Sequence, residues 1–284
     1  MTLLSSEYTK ESVIQNKKEA IKSLNRMLEG FINDPTGTHL KKANLMSYWI
    51  KDYVRMIGFE EKFDPTKNIA YKRGDIVKLN FGFNIGSEYG GLHYGIVLDM
   101  KNDRNSPVVT VIPLTSIKNN KAIHSNSIDL GNEIYRSLKL KYDTISKTLK
   151  SEYEEIQLAR TAFTVLVDMA KETLQNVETL NDLDTRAAEL DKVERYLQAT
   201  DDLEEYWKQR GQHNAEQQEY LEKIGQEISR MKEGSIALIN QITTISKIRI
   251  FDPRNLKGVL AGVSLSKENM EKINQKVKEL YVFE

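Results

Sequence analysis

KRGDIVKLNFGFNIGSEYGGLHYGIVLDM, residues 72–100, decides the fold. Ile76, Val77 and Leu79 form one short β-branched run and Gly95 to Leu98 a second. The loop between them is crowded with Gly, Asn and Ser. Short apolar runs bounded by turn-forming residues read as strands. A third run, Val108 to Leu114, follows Lys101 to Asn105, which reads as a solvated hairpin loop, and Ser125 to Leu130 offers one more strand. The expectation is a set of antiparallel strands with exposed loops.

Upstream, Val13, Ile21, Leu24, Met27, Leu28 and Phe31 recur at helical spacing and are closed by Asp34, Pro35 and Gly37. A second helical stretch spans about His39 to Phe59, with Trp49, Tyr53 and Met56 toward one face and Asp64-Pro65 at its end. Downstream, residues 137–232 contain no proline and only Gly211 and Gly225, and apolar positions from Leu138 to Trp207 keep helical spacing. Asn181, Asp182 and Asp184 place a turn near residue 182, which predicts two antiparallel helical arms of ~40 residues, or about 60 Å each. Strand texture returns at Ser235 to Ile239, Ile242 to Ile245 and Ile248 to Phe251, before a last helix over Lys267 to Leu280. The expected organisation is a helical segment at 1–70, strands at 71–136, a helical coiled-coil-like hairpin at 137–233, and strands with a C-terminal helix at 234–284. Trp49, Tyr53, Phe163, Val167 and Trp207 need cover from water, so the arms are expected to meet the N-terminal helices or another copy.

The 284-residue chain has no cysteine, which excludes disulfides, a thiolate nucleophile and thiolate metal sites. The absence of a signal-like N-terminus and of a long apolar run gives the expectation of a soluble, cytoplasmic protein without a membrane partner. Formal net charge is zero, but its distribution is uneven. Residues 71–125 carry seven cations against four anions and 234–284 eight against five, while 126–233 carry fifteen against twenty-three. Two basic segments flank an acidic one, so a neutral total does not exclude a polyanionic substrate. His124 and His213 show no metal-ligand spacing, and there is no phosphate-binding Gly-Lys-Ser/Thr loop, dinucleotide fingerprint or serine nucleophile elbow.

Arg73 to Val77, Asn84 to His93, Gly95 to Asp99, Asn105 to Pro107 and Val109 to Ser116 together resemble the opening of MazF/PemK toxins of type II toxin–antitoxin systems. Ser235 to Ile245 looks like the later strands of the same family. The resemblance implies an α+β fold built on an SH3-like antiparallel β-barrel, interrupted here by the helical hairpin. It also implies a homodimer that cleaves single-stranded RNA without metal or cofactor and is inhibited by an antitoxin protein. The family's catalytic arginine falls on His93 and its threonine on Thr115, while Thr243 stands where many relatives carry a second arginine.

Metal-independent RNA cleavage needs a base for the 2′-OH, donors for the phosphorane and an acid for the 5′ oxygen. His93, Thr115 and Glu88 are the candidate catalytic residues, with His93 as base or acid. Asn84, Ser87, Tyr89, Gly90, Gly91, Ser116, Lys118 and Gln241 are the candidate RNA-binding set. Tyr89, Tyr94 and Phe83 are candidate stacking platforms. Each residue also has a structural reading: Glu88 as a turn cap, Thr115 as a strand former, the tyrosines as packing. The alternative function is a catalytically silent MazF-like barrel serving as a nucleic-acid- or protein-binding regulatory module.

Overall fold

A computed structural model of the protein describes residues 8–117 and 122–282. Helix α1 (Lys10–Ile32) begins where Thr9 accepts a hydrogen bond from the Ser12 amide, and α2 (Leu40–Glu60) follows a turn built on Asp34 and Thr36. An N-cap acceptor satisfies one of the otherwise unpaired amides of a first helical turn. Trp49, Asp52, Met56 and Phe59 recur every three or four residues and so share a face of α2.

Seven strands then form one antiparallel sheet: β1 (Ile76–Asn80), β2 (Leu92–Val97), β3 (Val108–Ser116), β4 (Ser127–Asp129), β5 (Ser235–Leu238), β6 (Thr243–Ser246) and β7 (Ile250–Asp252). The order is β4-β5-β3-β2-β1-β7, with β6 also paired to β3. The fold is thus α+β, as the sequence predicts, but the sheet is open. Among the described residues no pairing joins β4 to β7, so the closed barrel expected from the resemblance is corrected to an open sheet. Both end strands are three residues long, which leaves little unpaired backbone at either edge.

Period-two alternation sorts the sheet's side chains onto two faces. Ile76, Ile96, Ile112 and Leu114 meet Ile134 and Leu138, Ile224 and Ile273 in one buried cluster, whereas Val77, Leu79, Val97, Val109 and Val111 pack with Tyr71, Phe81 and Ile250 in another. The first cluster binds the sheet to the bases of α3 (Glu133–Thr179) and α4 (Leu183–Arg230) and to α5 (Lys267–Tyr281).

Helix α3 starts four residues before the expected Ser137, because Ile134 and Leu138 already enter the core. Asp182 caps α4 by accepting from the Thr185 amide at 2.8 Å. The two helices, 47 and 48 residues, are about 70 Å long at ~1.5 Å per residue, longer than the expected arms. They run antiparallel: Phe163 stacks edge-on to Trp207 at 4.8 Å, Glu152 pairs with Arg210 at 3.8 Å, and Leu149 accepts from Asn214 at 3.4 Å. Phe163 and Trp207 therefore cover each other. Trp49 instead lies against Arg249 of the turn before β7, with 5.2 Å between ring and guanidinium, so α2 leans on the sheet.

At the base of the arms, Lys78 of β1 meets Glu227 of α4 at 2.5 Å, and the Tyr94 hydroxyl of β2 donates to the same carboxylate oxygen. Glu227 is buried, and a buried carboxylate is tolerable only when paired and hydrogen-bonded. This contact fixes α4 to β1 and β2. It also withdraws Tyr94 from the set of base-stacking candidates, since its ring faces the helical side of the sheet.

Candidate functional site

The loop between β1 and β2 folds back on itself through short backbone bonds: Phe81 donates to the Gly91 carbonyl at 2.8 Å and Gly91 to the Gly82 carbonyl at 2.7 Å. A Cβ at Gly90 would stand 2.7 Å from the Gly82 carbonyl oxygen, closer than any real side chain tolerates, so this crossing requires glycine. Asn84 stitches the loop from inside by donating to the Tyr89 carbonyl at 2.7 Å and the Phe81 carbonyl at 3.3 Å. Glu88 accepts from the Ile85 amide at 3.1 Å, the turn-capping role. Gln241, from the 3-10 turn between β5 and β6, accepts from the Tyr89 amide at 3.1 Å and donates to the Ser87 carbonyl at 3.4 Å. Two residues distant by some 150 positions thereby hold the loop against the sheet.

His93 lies on β2 opposite Leu79, so alternation directs it to the same face as Val97 and away from Tyr94. The β2–β3 register pairs Gly95 with Pro113, Ile96 with Ile112 and Val97 with Val111. Continued two residues further, this register sets His93 opposite Thr115. The ladder ends instead at the pair Gly95 and Pro113. Beyond it, Leu114, Thr115 and Ser116 pair with β5 on their other side.

Tyr89 fills the resulting gap. Its ring centroid is 4.8 Å from that of His93, and its hydroxyl donates to the carbonyl of Leu114, the neighbour of Thr115. Burial pushes the Tyr89 phenol up to about 12, so it is a neutral hydrogen-bond donor at neutral pH. His93 has an exposed edge, but the surrounding protein removes enough water to hold its imidazole below the ordinary histidine value. A histidine so shifted is neutral at pH 7 and available as a proton acceptor.

Beside this cluster is a cleft of about 530 Å³ whose walls include Asn84, Glu88 and Tyr89 on one side and Gln241, Thr243 and Arg249 on the other. Phe81 and Pro113 form part of its lining. His93 and Thr115 do not line the cleft, and Tyr89 is the wall between them and it. Ser87, Gly91 and Ser116 also stand outside its lining: Ser87 is on the exposed loop tip and Ser116 pairs with Ser235. Lys118 falls outside the described residues.

Arg249 is the residue the sequence reading missed. Its guanidinium donates to the Phe81 carbonyl at 3.1 Å beneath Trp49, and it brings into the cleft a cation that neither His93 nor Thr243 supplies. The signal was a lone arginine in the run Ile248 to Phe251, but only the folded chain carries it to the loop.

No curated protein matches the chain. The family described as PemK-like, MazF-like toxin of type II toxin–antitoxin system matches residues 72–179, from just before β1 to the end of α3, and so takes in the loop, His93 and Thr115 but leaves out β5 to β7. Over residues 72–179, then, this chain is similar to the PemK-like, MazF-like toxins of type II toxin–antitoxin systems.

Proposed function

We propose that the protein is an endoribonuclease toxin that cleaves single-stranded RNA without metal, and that His93, Tyr89 and Thr115 form its reacting cluster. The observation that carries this reading is the position of Tyr89, whose ring touches His93 and whose hydroxyl donates to the carbonyl next to Thr115, within the family-matched segment. In the proposed reaction neutral His93 accepts the proton of the 2′-OH, and the freed oxygen attacks the adjacent phosphorus. The P–O5′ bond breaks to leave a 2′,3′-cyclic phosphate, and the 5′ oxygen takes a proton from solvent or from the imidazolium just formed. Thr115 and Tyr89 donate toward the phosphate oxygens, where developing charge is greatest. Arg249 supplies the fixed positive charge in the adjoining cleft. Glu88 acts as a loop cap, because its carboxylate already accepts the Ile85 amide.

In this reading the open sheet is the SH3-like element of a toxin protomer. Residues 71–136 and 234–284 form one unit, 137–233 are an insertion and 1–70 are an N-terminal helical addition. An antitoxin, a homodimer partner and a cytoplasmic setting follow from the toxin–antitoxin assignment. The test is incubation of purified protein with a mixed-sequence RNA and mapping of the cut ends. Wild type is expected to leave 2′,3′-cyclic phosphates, and His93→Ala is expected to lose about two orders of magnitude or more in rate. Intact RNA with the wild-type protein, alongside measurable RNA binding, supports the silent binding module instead.

A further inference from the structure

A second cavity of about 610 Å³ lies on the other side of Arg249, between the C-terminal half of α2, the 3-10 turn at Pro65–Lys67 and β7. Its apolar lining is aromatic: Phe59 and Phe63 meet edge-on at 6.2 Å on one wall, and Phe251 stands on the other with Arg254 over its ring at 5.9 Å. Phe59 and Phe251 are both exposed. Four cations border these rings, Arg55, Lys62, Lys67 and Arg254, against the single carboxylate Asp64.

That carboxylate is already committed. Asp64 accepts from the Thr66 amide at 3.0 Å and the Thr66 hydroxyl at 2.6 Å, and these bonds hold it below the usual carboxylate range. Lys62 and Lys67, by contrast, have no carboxylate within salt-bridge distance among the described residues. Asn68 also lines the cavity but is buried, with 6% of its surface exposed, so it shapes the wall.

Exposed rings bordered by lysines with no carboxylate in salt-bridge reach match one chemical unit: an unpaired base with its flanking phosphate. Bases stack on aromatic side chains, and phosphates take the cations. An acidic peptide without aromatic residues would satisfy the lysines but offers no planar face for opposed phenylalanines. The cavity is also placed for a continuous strand. Ile248 lines it and the next residue, Arg249, lines the cleft beside Tyr89, so adjacent residues separate the two spaces. Helix α2 spans both, with Trp49 over Arg249 and Phe59 about ten residues on in the second cavity, some 15 Å along the axis.

We infer that the cavity between α2 and β7 is a nucleotide subsite that extends the single-stranded RNA track beyond the cleft, so that the N-terminal helices serve substrate grip. The inference rests on the RNA reading of the cleft. It is tested by fluorescence anisotropy with labelled, mixed-sequence 2′-O-methyl RNA, which lacks the attacking hydroxyl and stays intact, in two lengths: three and ten nucleotides. Wild type, Phe59→Ala and the double variant Lys62→Ala/Lys67→Ala are compared, with circular dichroism as a fold control. The altered side chains are exposed.

For the ten-nucleotide strand, Phe59→Ala is expected to weaken binding on the order of tenfold, the loss of one base–aromatic stack. The double variant is expected to lower the slope of log affinity against log salt by about 1.4. The three-nucleotide strand, which fills the cleft alone, is expected to bind all three proteins equally. Wild-type-like binding of the long strand by both variants overturns the subsite while leaving the RNA reading intact. Unchanged RNA binding with loss of affinity for an acidic, phenylalanine-containing peptide assigns the cavity to protein and likewise overturns the inference. Failure of the wild type to bind either RNA refutes the RNA reading itself, and the subsite with it.

Discussion

At the scale of single residues, the Tyr89 hydroxyl and the His93 imidazole carry the sharpest expectations. Tyr89→Phe keeps the ring that touches His93 but removes the donor to the Leu114 carbonyl, leaving a buried acceptor unpaired. It is expected to cost about 1–2 kcal/mol in urea unfolding and to slow cleavage while leaving RNA affinity nearly unchanged. For His93, the sign of the pH effect follows from its lowered pKa: the neutral, proton-accepting form persists below pH ~6.5. The acid limb of the rate profile should therefore fall at lower pH than an ordinary histidine would give. His93→Arg separates two roles, because an arginine holds phosphate but never accepts a proton at these pH values. Complete loss of cutting supports proton transfer, whereas surviving activity with a flattened profile supports phosphate stabilisation and removes the base role.

At the scale of elements, the loop and the arms are held by different forces. Gly90→Ala is expected to displace the loop, since the added methyl meets the backbone oxygen of Gly82 and not a movable side chain. Overpacking of this kind typically costs ~1–3 kcal/mol, and a drop in melting temperature accompanied by lost RNA affinity is the outcome to look for. Glu227→Ala acts through charge. It strands Lys78 in a half-buried site and removes the acceptor of the Tyr94 hydroxyl, for which about 3 kcal/mol of destabilisation is expected in chemical denaturation. Replacing Lys78 and Glu227 together by methionine and leucine should cost much less, because apolar pairs of similar volume substitute well for buried ion pairs. A double variant as unstable as the single one would show that the ion pair itself, and not the unpaired charge, sets the energy.

At the scale of the whole molecule, the sheet draws its strands from both sides of the long helices. β5 pairs with β3 and β4, and β7 pairs with β1, so the segments before and after the arms complete each other. Proteolytic nicking at the linker around residue 182 should therefore leave one particle, with both fragments eluting together on a sizing column. Separation into two independently folded halves would contradict the sheet order. The surplus of anions lies on the long helices and the surplus of cations on the strand-bearing segments, so a neutral total charge coexists with a basic sheet unit.

The sequence by itself determined the element order, because periodicity is a local property: the 3.6-residue spacing of Leu138 to Trp207, the β-branched runs at Ile76 and Val108, and the capping Asp182 each act within a few neighbours in the chain. It also placed His93, Tyr89 and Thr115 in one family-like segment. Tertiary structure alone decided how they relate. Only the folded chain ends the β2–β3 ladder at Gly95 and Pro113 and sets Tyr89 against the His93 ring and the Leu114 carbonyl. Only the return of the chain after some 100 helical residues brings Gln241 to the loop and Arg249 to the cleft. The same holds for the open sheet and for the cavity between α2 and β7. Contacts between residues far apart in sequence depend on how side chains from separate elements fill a shared volume, and no local pattern encodes that filling.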